Sequence, residues 1–126
     1  MDVSVLSYNL KECYSDCNFR YFNNILPPEG FIELRWNFGL GINAGMCLRN
    51  YKQQTFIELN PVYLSLYPEE FESILVHEMI HLISLEHDNK FLEEANRITE
   101  MGLPITVNCK HDISEIIKER SDFYEK

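Results

Sequence analysis

The chain has 126 residues and a formal net charge of −9, with 20 acidic against 11 basic residues. This length suits one domain with a substantial core, so we predict a single domain over residues 1–126. Phosphate contacts need clustered lysine and arginine, and the acidic balance therefore argues against direct nucleic-acid binding. We find no apolar stretch of membrane-spanning length and no signal peptide, and we expect an intracellular protein, cytoplasmic or nuclear.

The four cysteines are Cys13, Cys17, Cys47 and Cys109. No pair has the Cys-x-x-Cys spacing of a zinc ribbon. In an intracellular protein we expect all four to remain reduced thiols. Cys13 and Cys17 are one helical turn apart, and we interpret both as small residues that face the core.

The first half of the chain alternates between helical and strand-like patterns. Apolar spacing predicts a helix over about residues 8–26, which Pro27 and Gly30 end. Three predicted strands follow, at residues 31–36, 44–48 and 55–59. A turn at residues 49–52 joins the last two of these strands.

The second half reads mainly as helices. Pro61 and Pro68 bracket a short connector, and Pro68 fits the first position of the next helix. Another helix is predicted over residues 89–101, and a last one begins at Asp112 or Ser114 and runs to about residue 125. Residues 105–107 read as a short extended piece.

This order of elements predicts an α+β fold. We expect a small antiparallel three-stranded sheet packed against the N-terminal helix and the helix that follows Pro68. Further helices lie towards the C-terminus.

The helix after Pro68 carries a chemical motif, His-Glu-Met-Ile-His at residues 77–81, inside the run of residues 74–85. Apart from the motif's polar residues and Ser84 the run is apolar, which is typical of a buried helix. Burying two imidazoles and a carboxylate is costly unless they are paired. Zinc held by His77 and His81 supplies that pairing, with Glu78 as general base on a zinc-bound water. The alternative is a buried helix whose histidines are satisfied by the protein itself.

A catalytic zinc ion usually has three protein ligands, and His87 is the best candidate for the third. His77 and His81 lie about 40° apart around a helix, so both rings can reach one ion. On a continued helix His87 would lie about 280° from His77, so the helix must break near residues 84–86. Otherwise His87 is a surface histidine at a helix end. The fallback ligands are Glu86, Asp88, Glu93, Glu94 and the more distant His111.

Several segments resemble the SprT-like zinc metalloproteases, the family that includes the Spartan-type DNA–protein crosslink proteases. The similar segments are residues 18–23, 32–36, 44–47, 56–60, 75–81, 87–91, 95–98 and 102–107. The resemblance implies that the helix after Pro68 is a zincin-type active-site helix. By position it makes His77, His81 and His87 the zinc ligands and Glu78 the catalytic base.

The chain also departs from that family pattern. The loop between His81 and His87 is short, and Asp88 replaces a glycine. The histidine spacing matches that of metzincins, but Ser84 stands where those proteases have glycine, and Met101 is a poor candidate for their Met-turn. Many relatives continue into a zinc ribbon or DNA-binding tail where this chain ends, so the resemblance does not by itself imply DNA-dependent activity for this polypeptide.

The leading expectation is a zinc-dependent endopeptidase with one Zn²⁺ that acts on protein substrates, including DNA-associated or unstructured proteins. An extended substrate would lie along residues 44–48. The first alternative is a non-catalytic, zinc-stabilised protein-interaction module, which a fourth protein ligand such as Glu93 or Cys109 would favour. The second is a nucleic-acid-associated factor that a partner recruits to DNA.

Overall fold

The computed structural model of the protein describes residues 4–125. Its helices and strands are α1 (Leu10–Phe22), β1 (Ile32–Trp36), β2 (Gly45–Arg49), β3 (Thr55–Leu59), α2 (Pro61–Leu66), α3 (Phe71–Ile80), α4 (Asn89–Glu100) and α5 (Ser114–Glu125). Short 3₁₀ turns occur at Ser4–Ser7, Glu29–Phe31 and Pro68–Glu70. The predicted α+β class is confirmed.

The three strands form one mixed sheet in the order β1-β3-β2. β2 and β3 are antiparallel, as predicted, but β1 runs parallel to β3, so the expectation of an all-antiparallel sheet is wrong for that pair. Trp36 and Gly45 both lie opposite Leu59, one on each side of β3. The connection of residues 37–44 therefore passes around the end of β3 and delivers β2 to the edge of the sheet.

Asn60, directly after β3, holds this crossing in place. Its buried side-chain amide donates hydrogen bonds to the carbonyls of Gly41 and Asn43, both at 2.9 Å. The oxygen of the same amide accepts from the backbone N–H of Val62 at 2.9 Å and of Tyr63 at 3.3 Å, which caps the N-terminus of α2. The predicted connector after Pro61 is thus a short helix, started by an asparagine cap and a proline in its first turn.

Other element boundaries shift by a few residues. α1 begins after the Asn9 cap and ends at Phe22, before Asn23 with its left-handed φ of 51°, so the helix is shorter than residues 8–26. Pro68 opens a 3₁₀ turn that leads directly into α3. Residues 105–107 belong to no strand and run as irregular chain.

The predicted burial of the motif helix is confirmed as far as Ile80, but the helix ends there, and Ile83 and Leu85 of the predicted run are exposed. The buried residues of α3 are Phe71, Leu75, Val76, Glu78, Met79 and Ile80. α3 packs against β2, β3 and α4, which places one end of the motif helix beside the edge strand of the sheet. All four cysteines are free thiols, with Cys17 buried and Cys13 partly buried. Within residues 4–125, none of the helices combines the length and apolar character needed to cross a membrane.

We predict that Asn60→Ala lowers the free energy of unfolding by about 2–4 kcal/mol, because it removes a helix cap and leaves buried backbone groups unpaired. Urea denaturation measures this loss. Asn96→Ala, at an exposed position in α4, is the matched control and should change stability by less than about 0.5 kcal/mol. Equal effects of the two substitutions would contradict the role of Asn60.

Candidate metal centre

Three imidazoles meet where α3 ends. The candidate ligand atoms of His77, His81 and His87 all lie within 4.8 Å of one another. The Nε2 atoms of His77 and His87 are 3.3 Å apart. Two nitrogens that bind one tetrahedral zinc ion at about 2.0–2.1 Å are separated by roughly 3.3 Å. The donor set and its spacing therefore fit a zinc ion.

Backbone carbonyls orient two of these rings. His77 Nδ1 donates to the Thr106 carbonyl at 2.7 Å, and His81 Nδ1 donates to the Ser84 carbonyl at 2.9 Å. Because a carbonyl can only accept, each Nδ1 carries the proton and each Nε2 keeps its lone pair for a metal. Burial lowers the pKa of His77 to about 4 and also lowers that of His81, so both rings are neutral near pH 7.

The chain reverses between His81 and His87 without a glycine. α3 ends at Ile80, and the chain then continues in a tighter turn. In this turn the N–H of Ile83 donates to the carbonyl of Ile80, three residues earlier, at 2.8 Å. The predicted break is present, but it begins at His81 rather than near residues 84–86. No residue between His81 and Asp88 has a positive φ, so an ordinary side chain fits at every position.

Side-chain hydrogen bonds close this loop. The Ser84 hydroxyl donates to Asp88 Oδ2 at 2.8 Å, and Asp88 Oδ1 accepts from the Phe91 N–H at 3.1 Å. Asp88 is thus the cap of α4 and ties α4 to the end of the loop. Both of its oxygens serve the loop rather than a metal.

The fallback ligands lie outside the group of three histidines. Among the described residues, the group contains none of the carboxylates considered, Glu86, Asp88, Glu93 and Glu94. Glu94 pairs with Arg97 at 2.6 Å. His111 lies elsewhere, beside Glu70 at 3.2 Å. The structure therefore brings together His77, His81 and His87 alone of all the candidates.

Glu78 is buried next to the histidines. Its Oε2 lies 3.9 Å from His77 Nε2, and the carboxylate is not a member of the ligand group. Burial raises the pKa of Glu78 to about 8, and a cation beside it would favour the charged form. A carboxylate in this position can approach a water molecule near the metal without being a ligand.

Two residues that sequence reasoning left without a role complete the site. A Cβ on Gly45 would lie 3.0 Å from both Cγ and Oε2 of Glu78, so the backbone of β2 packs directly on the carboxylate. The buried Phe91 ring packs against all three imidazoles, with centroid distances of 4.9, 4.8 and 4.6 Å to His77, His81 and His87. The part played by the backbone carbonyls of Ser84 and Thr106 could not be predicted from the sequence, since every residue has a backbone carbonyl.

An open cleft of about 330 Å³ lies over these residues. Residues 43–47, at the start of β2, form one wall, and residues 106–109 form the other. The histidines and Glu78 line its floor, with Ile74 and Leu85 beside them. A segment of polypeptide could enter this cleft and reach the candidate metal position.

A protein-family model matches most of the chain. The sequence model of the SprT-like family matches residues 10–111, which include the three strands, the motif helix and all three histidines. Among curated proteins, none matches the chain.

We predict that Asp88→Ala weakens zinc binding about tenfold, because the loop that returns His87 loses its closing hydrogen bonds. Competition with a chromophoric chelator measures the affinity. Asn9→Ala removes the equivalent cap from α1, far from the histidines, and should leave zinc affinity unchanged. An unchanged affinity in Asp88→Ala would show that the loop holds its shape without that side chain.

We predict that Gly45→Ala displaces the Glu78 carboxylate and lowers the free energy of unfolding by about 1–3 kcal/mol, since a methyl group must enter a closely packed site. Denaturant titration gives the stability change. The control is Gly30→Ala, where a Cβ meets no atom within 4 Å. If both variants had wild-type stability, the backbone of β2 could move away from Glu78 and accept the methyl group, which would contradict the prediction.

Proposed function

The chain belongs to the SprT-like family, and from that premise we propose that it is a zinc-dependent endopeptidase that hydrolyses peptide bonds in protein substrates. The observation that carries the proposal is the grouping of three histidine nitrogens within 4.8 Å of one another. A buried glutamate lies beside the group without joining it, on the floor of an open cleft.

The residues divide into ligands and base. His77, His81 and His87 would hold the zinc ion. A zinc ion there supplies Lewis-acid chemistry, which acidifies water and polarises a carbonyl group. Glu78 Oε2 would take the proton of the attacking water and pass it to the leaving amine. The carbonyls of Thr106 and Ser84 keep the rings in the required tautomer throughout.

The number of protein ligands supports an enzyme over a zinc-stabilised interaction module. A structural zinc site usually takes four protein ligands, whereas a catalytic one takes three and leaves a position open. In the part of the chain that the structure describes, neither Glu93 nor Cys109 joins the three histidines. Glu78 also has no purpose in a purely structural site, where a buried carboxylate adds only cost.

The open edge of the sheet offers a binding position for the substrate. Within residues 4–125, β2 pairs with β3 on one side only. An extended peptide would add to the open side of β2 through main-chain hydrogen bonds and bring its carbonyl over the histidines. Met46 and Val107 line the same cleft and would contact the apolar parts of such a peptide.

Because main-chain pairing needs an extended segment, we propose unstructured protein chains as the substrates. The net charge of −9 disfavours direct contact with DNA. DNA-associated proteins would therefore be reached through a partner that binds the nucleic acid.

We predict that Glu78→Gln lowers cleavage of an unstructured, fluorescently labelled polypeptide by at least about 100-fold, because the amide cannot accept the proton. Zinc content and the circular dichroism spectrum should stay at wild-type values, since Glu78 is not a ligand. Glu100→Gln, at an exposed position in α4, makes the same charge change and should retain full activity.

Removal of zinc with a chelator should abolish cleavage in the wild type, and added zinc should restore it. Wild-type cleavage by Glu78→Gln, or a wild-type protein that binds zinc but cleaves no unstructured chain, would refute the endopeptidase proposal. The second result would favour the interaction module.

A further inference from the structure

A second group of metal-binding side chains lies away from the cleft, where the 3₁₀ turn Pro68–Glu70 enters α3. Ligand atoms of Glu69, Glu70 and His111 all lie within 4.8 Å of one another. Glu69 and Glu70 come from the turn, whereas His111 comes from the segment that precedes α5. Residues more than forty positions apart thus converge on one point.

Glu70 is the unusual member of this group. Its carboxylate is buried, and the residue is only 5% exposed. Oε1 accepts a hydrogen bond from the Tyr63 hydroxyl at 2.9 Å. Oε2, by contrast, is buried without a hydrogen-bond partner in the described part of the chain. A buried carboxylate oxygen without a donor is costly, so something should pair with it.

The Nε2 atom of His111 lies 3.2 Å from that oxygen. Oε2 receives no hydrogen bond across this contact. The ring cannot turn freely towards Glu70, since it stacks on Tyr67 with a centroid distance of 3.7 Å and an interplanar angle of 6°. The backbone N–H of His111 also donates to the Tyr63 hydroxyl at 3.3 Å.

A cation that bridges the two atoms accounts for this geometry. Zinc binds imidazole nitrogen and carboxylate oxygen at about 2.0–2.2 Å, which puts two such ligands roughly 3.2–3.5 Å apart at a tetrahedral angle. The 3.2 Å between Glu70 Oε2 and His111 Nε2 fits this separation. Glu69 adds a second carboxylate that faces solvent, and one imidazole with two carboxylates suits zinc better than calcium or magnesium.

We propose that Glu69, Glu70 and His111 form a second, structural binding site for a zinc-class divalent cation. The cation fastens the segment before α5 to the start of α3. The same segment carries the Thr106 carbonyl that orients His77. The second site therefore supports the wall of the cleft without taking part in the reaction.

Metal stoichiometry tests the proposal independently of protease activity. The 126-residue chain, stripped of metal, is dialysed against buffered Zn²⁺ near neutral pH, and bound metal is measured by plasma mass spectrometry. The wild type should bind two zinc ions per chain, and His111→Asn and Glu69→Gln should each bind one. Both substituted side chains are exposed, so these variants keep the core intact.

Two further variants separate the sites. His77→Asn combined with His87→Asn should also bind one zinc ion, and adding His111→Asn to that pair should remove it. Glu33→Gln, an exposed carboxylate in β1, is the matched control and should bind two ions. Binding of a single ion by the wild type, or of two ions by both His111→Asn and Glu69→Gln, would overturn the proposal and leave a Glu70–His111 ion pair only.

Discussion

The placement of the buried Glu78 and His81 and the partly buried His77 around the end of α3 is the constraint on which the rest of this structure depends. Each buried polar group without a partner costs about 1–3 kcal/mol, so the surrounding chain must supply partners at fixed positions. Thr106 supplies a carbonyl to His77, and Ser84 supplies one to His81. Gly45 lets the backbone of β2 pack on Glu78 where any side chain would intrude. Three separate segments are thereby fixed around one helix.

The mixed sheet follows from the same requirement. The site needs an edge strand beside Glu78, and β2 reaches that edge only because the chain crosses the end of β3 before it turns back. Asn60 makes the crossing possible, since its buried amide binds the crossing loop with one end and caps α2 with the other. The cleft wall and the helix that leads towards α3 therefore share a single anchor.

The helices and strands that could be predicted from the sequence are those whose pattern lies within one short stretch of the chain. The apolar run around residues 74–85 predicted a buried helix, and strand-like sequence predicted β2 and β3 to within one residue at each end. The direction of a strand depends on contacts between distant segments and cannot be predicted from a local pattern. Residues 31–36 would show the same alternation whether β1 ran parallel or antiparallel to β3. The predicted grouping of His87 with the other histidines rested on its reach and on the family resemblance, not on a local pattern. The hydrogen bonds from Ser84 to Asp88 and from Asp88 to Phe91 explain how a chain without glycine makes that turn.

The positioning groups escaped prediction for a different reason. Thr106 acts through its backbone carbonyl and Gly45 through a missing side chain, and neither feature distinguishes a residue type in a motif. Glu70 resembles any acidic residue near a helix start, where charge complements the helix dipole. Its burial with an unpaired oxygen is a property of the packed chain and cannot be read from the order of residues.

Both ends of α3 are tied to one irregular segment. Near its C-terminal end, His77 binds Thr106; before its first residue, Glu70 and Tyr63 contact His111. A helix of ten residues is about 15 Å long, so the two attachments hold the intervening residues along most of the helix. Irregular chain loses backbone entropy of about 1–2 kcal/mol per residue when it is ordered, and Leu103, Ile105 and the buried Ile113 offset part of that cost by packing on the core. The packed segment therefore presents the Thr106 carbonyl to His77 and the His111 ring to Glu70 from one stretch of backbone.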